Sequence, residues 1–282
     1  MAQPTKKKGC VFMWKSHLVG ILIATIILSI GLMNKPFSAQ AEKEIHWGLK
    51  KATNEQQAEA GGELDAMLKK HGAIYKGTAD KKILYFTFDN GYENGYTESI
   101  LDTLKAENIQ ATFFLTGHYL ESATPLVKRM IADGHQIGNH SYGHPNLAKL
   151  SKEGVQKELQ KFDKRLSELT SLTRTTVTRP PEGTFNEQVL EAANDIGHQH
   201  IFWSVAFIDW HKDQKKGGKY AYDQLMSQIH PGAIILMHTV SPDNAEGLPM
   251  FIKDARKMGY TFGTLDDLIM NNLDIPLTLL PE

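Results

Sequence analysis

Five short stretches of this chain carry side chains able to do hydrolytic chemistry: TFDNG (87–91), HSYGH (140–144), TRPPEG (178–183), AFIDW (206–210) and AIILMH (233–238). Asp89 is a candidate general base for a water molecule. Water-activating hydrolases commonly set a second carboxylate beside such a base to hold a metal, and here that position is the amide Asn90. His140 and His144 are four residues apart, so one helical turn would put both imidazoles on one face. Such a pair suits a transition-metal ion. The protease pattern His-Glu-x-x-His is excluded because position 141 is serine, and Pro145 disfavours helical geometry at His144, so the turn should be short.

Arg179 is followed by two prolines that stiffen the chain, and a fixed guanidinium beside Asp89 would keep that carboxylate ionised and oriented. His238 ends an apolar run and is the candidate general acid. Asp209 could hold a nearby histidine and raise its pKa, while Trp210 could wall a sugar groove. Each has a plainer reading: Asp-Asn-Gly is good turn chemistry, the two histidines could be loop residues, Arg179 a structural ion pair and Trp210 a core residue. His71, His118, His135, His198, His200, His211 and His230 are read as background, and the lysines of HKDQKKGGKY (211–220) as a solvated loop.

These side chains work together only if the fold gathers them. Apolar runs at 82–88, 111–117, 135–140, 175–179, 199–205, 232–238 and 260–262 read as seven strands. Helical patterns lie between most of them: one capped by Thr97, one entered at Pro125 and stopped by Gly134, one from Ser151 to about Leu169, one from Asn186 to Gly197, and one stopped by Gly259. Such alternation implies parallel pairing through right-handed crossovers. The expected class is α/β, a distorted or incomplete (β/α)7 barrel of the TIM type, with an open doubly wound sheet as runner-up. Neither a Gly-x-Gly-x-x-Gly after the first strand nor a Walker-type segment is present, which disfavours nucleotide binding. In a barrel the C-terminal ends of the strands share one rim, where all five stretches would meet.

The 282 residues carry a formal net charge of -1, which gives no footing for general nucleic-acid binding. Four lysines (Lys6, Lys7, Lys8 and Lys15) precede the uncharged apolar run 18–33, and Ala39-Gln40-Ala41 fits a small-residue cleavage site. Residues 1–41 therefore read as a signal peptide or an N-terminal membrane anchor, with the remainder acting outside the cytoplasmic membrane. The single cysteine, Cys10, lies upstream of that run, so disulfides and thiolate metal sites are excluded for the exported part. Residues 42–80 read as a polar lead-in strap containing a short helix near 64–72, residues 81–275 as the main domain, and 276–282 as a tail.

Taken in order, the stretches resemble the five motifs of the NodB-homology polysaccharide deacetylases, carbohydrate esterase family four: TFDDG, H-S/T-x-x-H, R-x-P-x-G, D-x-x-D-W and L-x-H. The resemblance covers about residues 80–270. It implies that Asp89 is the base, that His140, His144 and the residue at position 90 bind a divalent metal, that His238 is the acid, that Arg179 steadies the base, and that Asp209 tunes the acid. Two positions depart from the pattern: Asn90 stands for the ligand carboxylate and Ala206 for the first Asp of the fourth motif. The asparagine, with WGLKKATNE (47–55) and HTVSPDNAE (238–246), is similar to the branch of spore formers that deacetylates N-acetylmuramic acid once an amidase has stripped the peptide, leading to muramic δ-lactam of the cortex.

On that implication an amide oxygen would still coordinate zinc or another transition metal, held more weakly than by Asp. The oxyanion would be met by a backbone N–H near Tyr92 or Glu182. The implied partner is peptidoglycan glycan, with membrane contact only through the N-terminal segment. Two alternatives stay open: deacetylation of N-acetylglucosamine in peptidoglycan or chitin-like glycan, and a non-catalytic glycan-binding homologue.

Overall fold

The computed structural model describes residues 1–3, 43–211, 213 and 215–272. The leader or anchor expected over 1–41 and the tail expected over 276–282 lie outside the described residues, three N-terminal residues apart. Among the described residues no helix is long and apolar enough to cross a membrane. From Lys43 onward they belong to one compact unit.

A curled, mostly parallel sheet lies at its centre. Its strands are β2 (Ile83–Asn90), β3 (Thr112–Leu115), β4 (Gln136–Asn139), β5 (Val177–Thr178), β7 (Gln199–His200), β8 (Ile234–Met237) and β9 (Thr261–Phe262). The spatial order is β7-β5-β4-β3-β2-β8, with β9 pairing the start of β2. A short antiparallel pair, β1 (Ile45–His46) with β6 (Thr184–Phe185), sits apart from it. The helices are α1 (Gly62–Lys70), α2 (Thr97–Ala106), α3 (Gly117–Ser122), α4 (Thr124–Ala132), α5 (Lys152–Leu169), α6 (Glu187–Asp195), α7 (Gly218–Gln228), α8 (Pro242–Lys257) and α9 (Leu265–Asn272). The incomplete (β/α)7 barrel expected from the alternation is therefore the fold, because each apolar strand needs a helix to cover its outer face. Phe86, Phe88 and Phe113 pack with Leu101, Phe162 and Phe251 in the largest apolar cluster.

The barrel is closed by part of the lead-in strap. Ile74 pairs in parallel with Ile201, and Lys76 pairs with Ala233, so residues 74–76 bridge the edge strands β7 and β8. Gly77 N–H donates to the Gly232 carbonyl at 2.7 Å. Gly232 has φ +75°, and a Cβ there would lie 2.6 Å from the Gly77 backbone, so only glycine permits the seam. Nearer the rim, Val205 pairs with Ile235 and completes the closure.

Several local expectations are corrected. Thr97 is the first residue of α2 rather than its cap, since the cap position is Tyr96 with no side-chain cap bond. The strands read over 175–179 and 199–205 shrink to two residues each. The basic stretch from His211 onward is not all loop, for α7 starts at Gly218. Ser151 and Asn186 do cap α5 and α6, accepting from Gly154 N–H and Val189 N–H.

Candidate active site

Parallel strands deliver their C-terminal ends to one rim, and four of them end at or just before a residue picked out by its chemistry. Asp89 and Asn90 are the last residues of β2, His140 follows β4, Arg179 follows β5 and His238 follows β8. Arg179 is fully buried. Its Nη1 donates to Asp89 Oδ1 at 2.7 Å, while Nε and Nη2 donate to the carbonyls of Ile201 and Phe202. The guanidinium lies 4.2 Å from the Phe114 ring centroid. That ring occupies the space a Cβ on Gly138 would need, since such a Cβ would meet it at 2.4 Å. Burial by itself would raise the Asp89 pKa, but the charges of Arg179, His140 and His238 overcome it and hold the carboxyl below its ordinary value. Asp89 is thus an acceptor that stays ionised.

The second ion pair has the opposite sense. His238 Nδ1 lies 2.7 Å from Asp209 Oδ1, and the His238 backbone N–H donates to Asp209 Oδ2 at 2.8 Å. Burial would depress the imidazole's pKa, yet the Asp209 charge and hydrogen bond win and raise it. Asn244, on α8, donates to both Asp209 Oδ2 and the His238 carbonyl and so fixes the pair. Sequence reasoning misses Asn244, although it lies in the HTVSPDNAE stretch that carries the branch resemblance. Trp210 is about half exposed and its ring centroid lies 5.6 Å from that of His238, which rules out a core role.

His140 is buried, and its Nδ1 lies 2.8 Å from the Arg179 carbonyl, so that nitrogen carries the proton and donates. Nε2 is left with its lone pair, 3.7 Å from Asp89 Oδ2. Burial pushes the His140 pKa down to about 4, so the ring is neutral at pH 7. The centroids of His140 and His144 are 5.0 Å apart. The helical turn considered for them is absent: Ser141 and His144 take left-handed φ of 64° and 55°, and Ser141 Oγ accepts from His144 N–H to hold this tight loop.

Asn90 is fully buried and departs from this group. Neighbouring residues of an extended strand face opposite ways, and its Nδ2 donates to Thr239 Oγ1 at 2.7 Å. No hydrogen bond among the described residues joins it to His140 or His144, and its Oδ1 is buried without a partner. Two imidazoles, one of them neutral with a free lone pair facing a carboxylate, are donors that fit a divalent cation. Tyr92 and Glu182 are exposed on the loops after β2 and Arg179, with Glu182 at φ 57°. A separate trio, His71, Glu187 and Glu191, sets three ligand atoms within 4.8 Å. There the Lys70 ammonium sits on Glu187 Oε1, which marks an ion-pair cluster.

Comparison with known proteins agrees with this geometry. The polysaccharide deacetylase family model matches residues 76–201. The chain is 44% identical to the peptidoglycan-N-acetylmuramic acid deacetylase PdaA of Bacillus subtilis, over 89% of this chain and 95% of that protein. The chain belongs to the polysaccharide deacetylases, carbohydrate esterase family four. The solved structure of Bacillus subtilis PdaA, described as a family 4 carbohydrate esterase, superposes with a TM-score of 0.80 at 45% identity, covering 82% of this chain and 98% of that one. A family 4 carbohydrate esterase from Bacillus anthracis superposes with a TM-score of 0.69 at 40% identity, with the same coverage. The chain is accordingly an enzyme of the polysaccharide deacetylase class, a family whose members are generally metal-dependent.

Proposed function

We propose that this deacetylase hydrolyses the N-acetyl group of N-acetylmuramic acid in peptide-free peptidoglycan strands, outside the cytoplasmic membrane, after an amidase has removed the stem peptide. The freed amine then leads to muramic δ-lactam in spore cortex. The observation that carries the chemistry is the opposed tuning of two groups at one rim: a carboxylate whose pKa is held down beside Arg179 and an imidazole whose pKa is raised by Asp209. Such a base and acid are what amide hydrolysis requires. The choice of muramic acid is supported by the extent of the likeness to PdaA.

In this reading Asp89 takes the proton of the attacking water, and Arg179 keeps it oriented. His238 protonates the leaving amine. A backbone N–H near Tyr92 or Glu182 meets the developing oxyanion, and Trp210 lines the sugar. His140, His144 and Asn90 would hold the divalent cation, zinc or another transition metal, more weakly than a carboxylate set because the amide is uncharged. When bound, the cation would polarise the acetamide carbonyl and acidify water.

The test is acetate release by the full chain from peptide-free glycan strands, with chelator and added divalent ions as separate arms. Acetate that disappears with chelator is expected. Release from N-acetylglucosamine oligomers but not from muramic-acid strands would overturn the substrate; absence of release with glycan still bound would overturn catalysis.

A further inference from the structure

Why position 90 is an amide can be read from the protons around it. Asn90, Thr97, Tyr119 and Thr239 are all fully buried, and Glu93 is half-buried beside them. Thr97 Oγ1 contacts Glu93 Oε2, and it also lies 2.8 Å from Thr239 Oγ1. Thr239 Oγ1 is 2.7 Å from Asn90 Nδ2. Tyr119 OH lies 2.8 Å from Glu93 Oε2, to which it donates, and 3.1 Å from Thr97 Oγ1, and Gly95 N–H donates to Glu93 Oε1.

Each threonine hydroxyl has one proton, and a carboxylate only accepts. Thr97 must therefore give its proton to Glu93. The contact between the two threonines then needs the proton of Thr239. That leaves Thr239 with none for position 90, so the group there must be a donor. An amide satisfies this and an aspartate does not. The chain of hydrogen bonds runs one way, from Asn90 through Thr239 and Thr97 to Glu93, and it settles which end of the Asn90 amide faces Thr239 and which is left free as Oδ1.

We propose that Glu93 is a positioning residue for the deacetylase site. As the terminal acceptor of this chain, it fixes the orientation of the Asn90 side chain and of Thr239, the residue next to His238, and it makes asparagine the required partner at position 90. The second carboxylate of the TFDDG pattern is absent at position 90 of this chain, and the carboxylate in this run of bonds is Glu93 at its far end. The activity part of the test rests on the deacetylase reading; the stability part does not.

The experiment is a double-mutant cycle of Asn90→Asp and Glu93→Gln in the full chain, with melting temperature measured in chelator and acetate release measured with added divalent ions. Asn90→Asp alone leaves two acceptors at the ends and one proton too few, so Tm should fall by about 3–8 °C and kcat roughly tenfold or more with KM little changed. Glu93→Gln alone keeps the chain satisfied, because Asn90 can turn its oxygen to Thr239 when the amide at position 93 donates to Thr97, so Tm should stay within about 2 °C of the parent. In the double variant the chain runs backwards with the same net charge: the new side-chain amide at position 93 donates to Thr97, Thr97 to Thr239, and Thr239 to the new carboxylate at position 90. Tm of the double variant should recover to within about 2 °C of the parent and its kcat should exceed that of Asn90→Asp. Additive losses in the double variant would overturn the proposal, as would an Asn90→Asp protein more stable and more active than the parent. If Tm recovers while neither parent nor variants release acetate, the chain stands and the deacetylase reading falls.

Discussion

The two ion pairs at the rim use the same ingredients in reverse. In Arg179–Asp89 the cation is wholly buried and the carboxylate keeps the slight access, 0% against 8% of side-chain surface. In His238–Asp209 the carboxylate is the buried member, 1% against 23% for the imidazole. The buried partner sets the charge state, and the more accessible one is the member that would meet substrate in the proposed reaction. A salt bridge seen in a structure thus says little until its exposed member is known. Here the exposed members are one acceptor and one donor, which is why the pairs are complementary rather than redundant.

The comparison breaks most severely at Asp89. Asp89→Asn keeps the shape but removes the acceptor, and kcat should fall about 10²–10⁴-fold if the residue is the base. Acetate release at saturating substrate measures it, and a loss under tenfold would show that the carboxylate is structural. Arg179→Gln should come next. It leaves a buried carboxylate unpaired, which costs about 3–5 kcal/mol of stability in chemical denaturation. With its guanidinium gone, the Asp89 pKa rises, so the acid limb of the kcat/KM profile must move to higher pH.

Asp209→Asn attacks the other pair with a smaller effect of opposite sign. The Asp209 charge raises the His238 pKa, so its removal lowers that pKa and pulls the alkaline limb to lower pH. At pH 7 the protonated fraction drops, and kcat/KM should fall roughly tenfold. An unmoved alkaline limb would mean that another group supplies the proton.

Both exposed members were legible in the sequence, because strand ends in a parallel barrel converge and Asp89 and His238 stand at the ends of long apolar runs. Their buried partners, Arg179 and Asp209, could be proposed for the same reason. What could not be read was the layer that holds them. Asn244 reaches Asp209 across 35 positions, and the Glu93–Asn90 chain passes through Thr239, some 142 residues from Thr97. Nothing local marks either contact. The closing segment at 74–76 was hidden for a different cause: two buried residues, Ile74 and Tyr75, stand among lysines and glycines, too few to show a period. The helix α7 was masked by the two glycines and four lysines ahead of and at its start, although its buried Ala221 and Leu225 keep helical spacing.

The mildest test asks whether the exposed side of the His238 pair faces sugar. Trp210 touches no catalytic proton, but its indole stands beside the His238 ring with nearly half its surface open. As a groove wall it would bind ground state and transition state alike. Trp210→Ala should then raise KM about 2- to 10-fold and leave kcat within about a factor of two. The pH limbs should stay where they are, because neither ion pair is altered. A fall in kcat with KM unchanged would instead mean that the indole holds the imidazole in place, which would make Trp210 a third member of the pair rather than a wall of the groove.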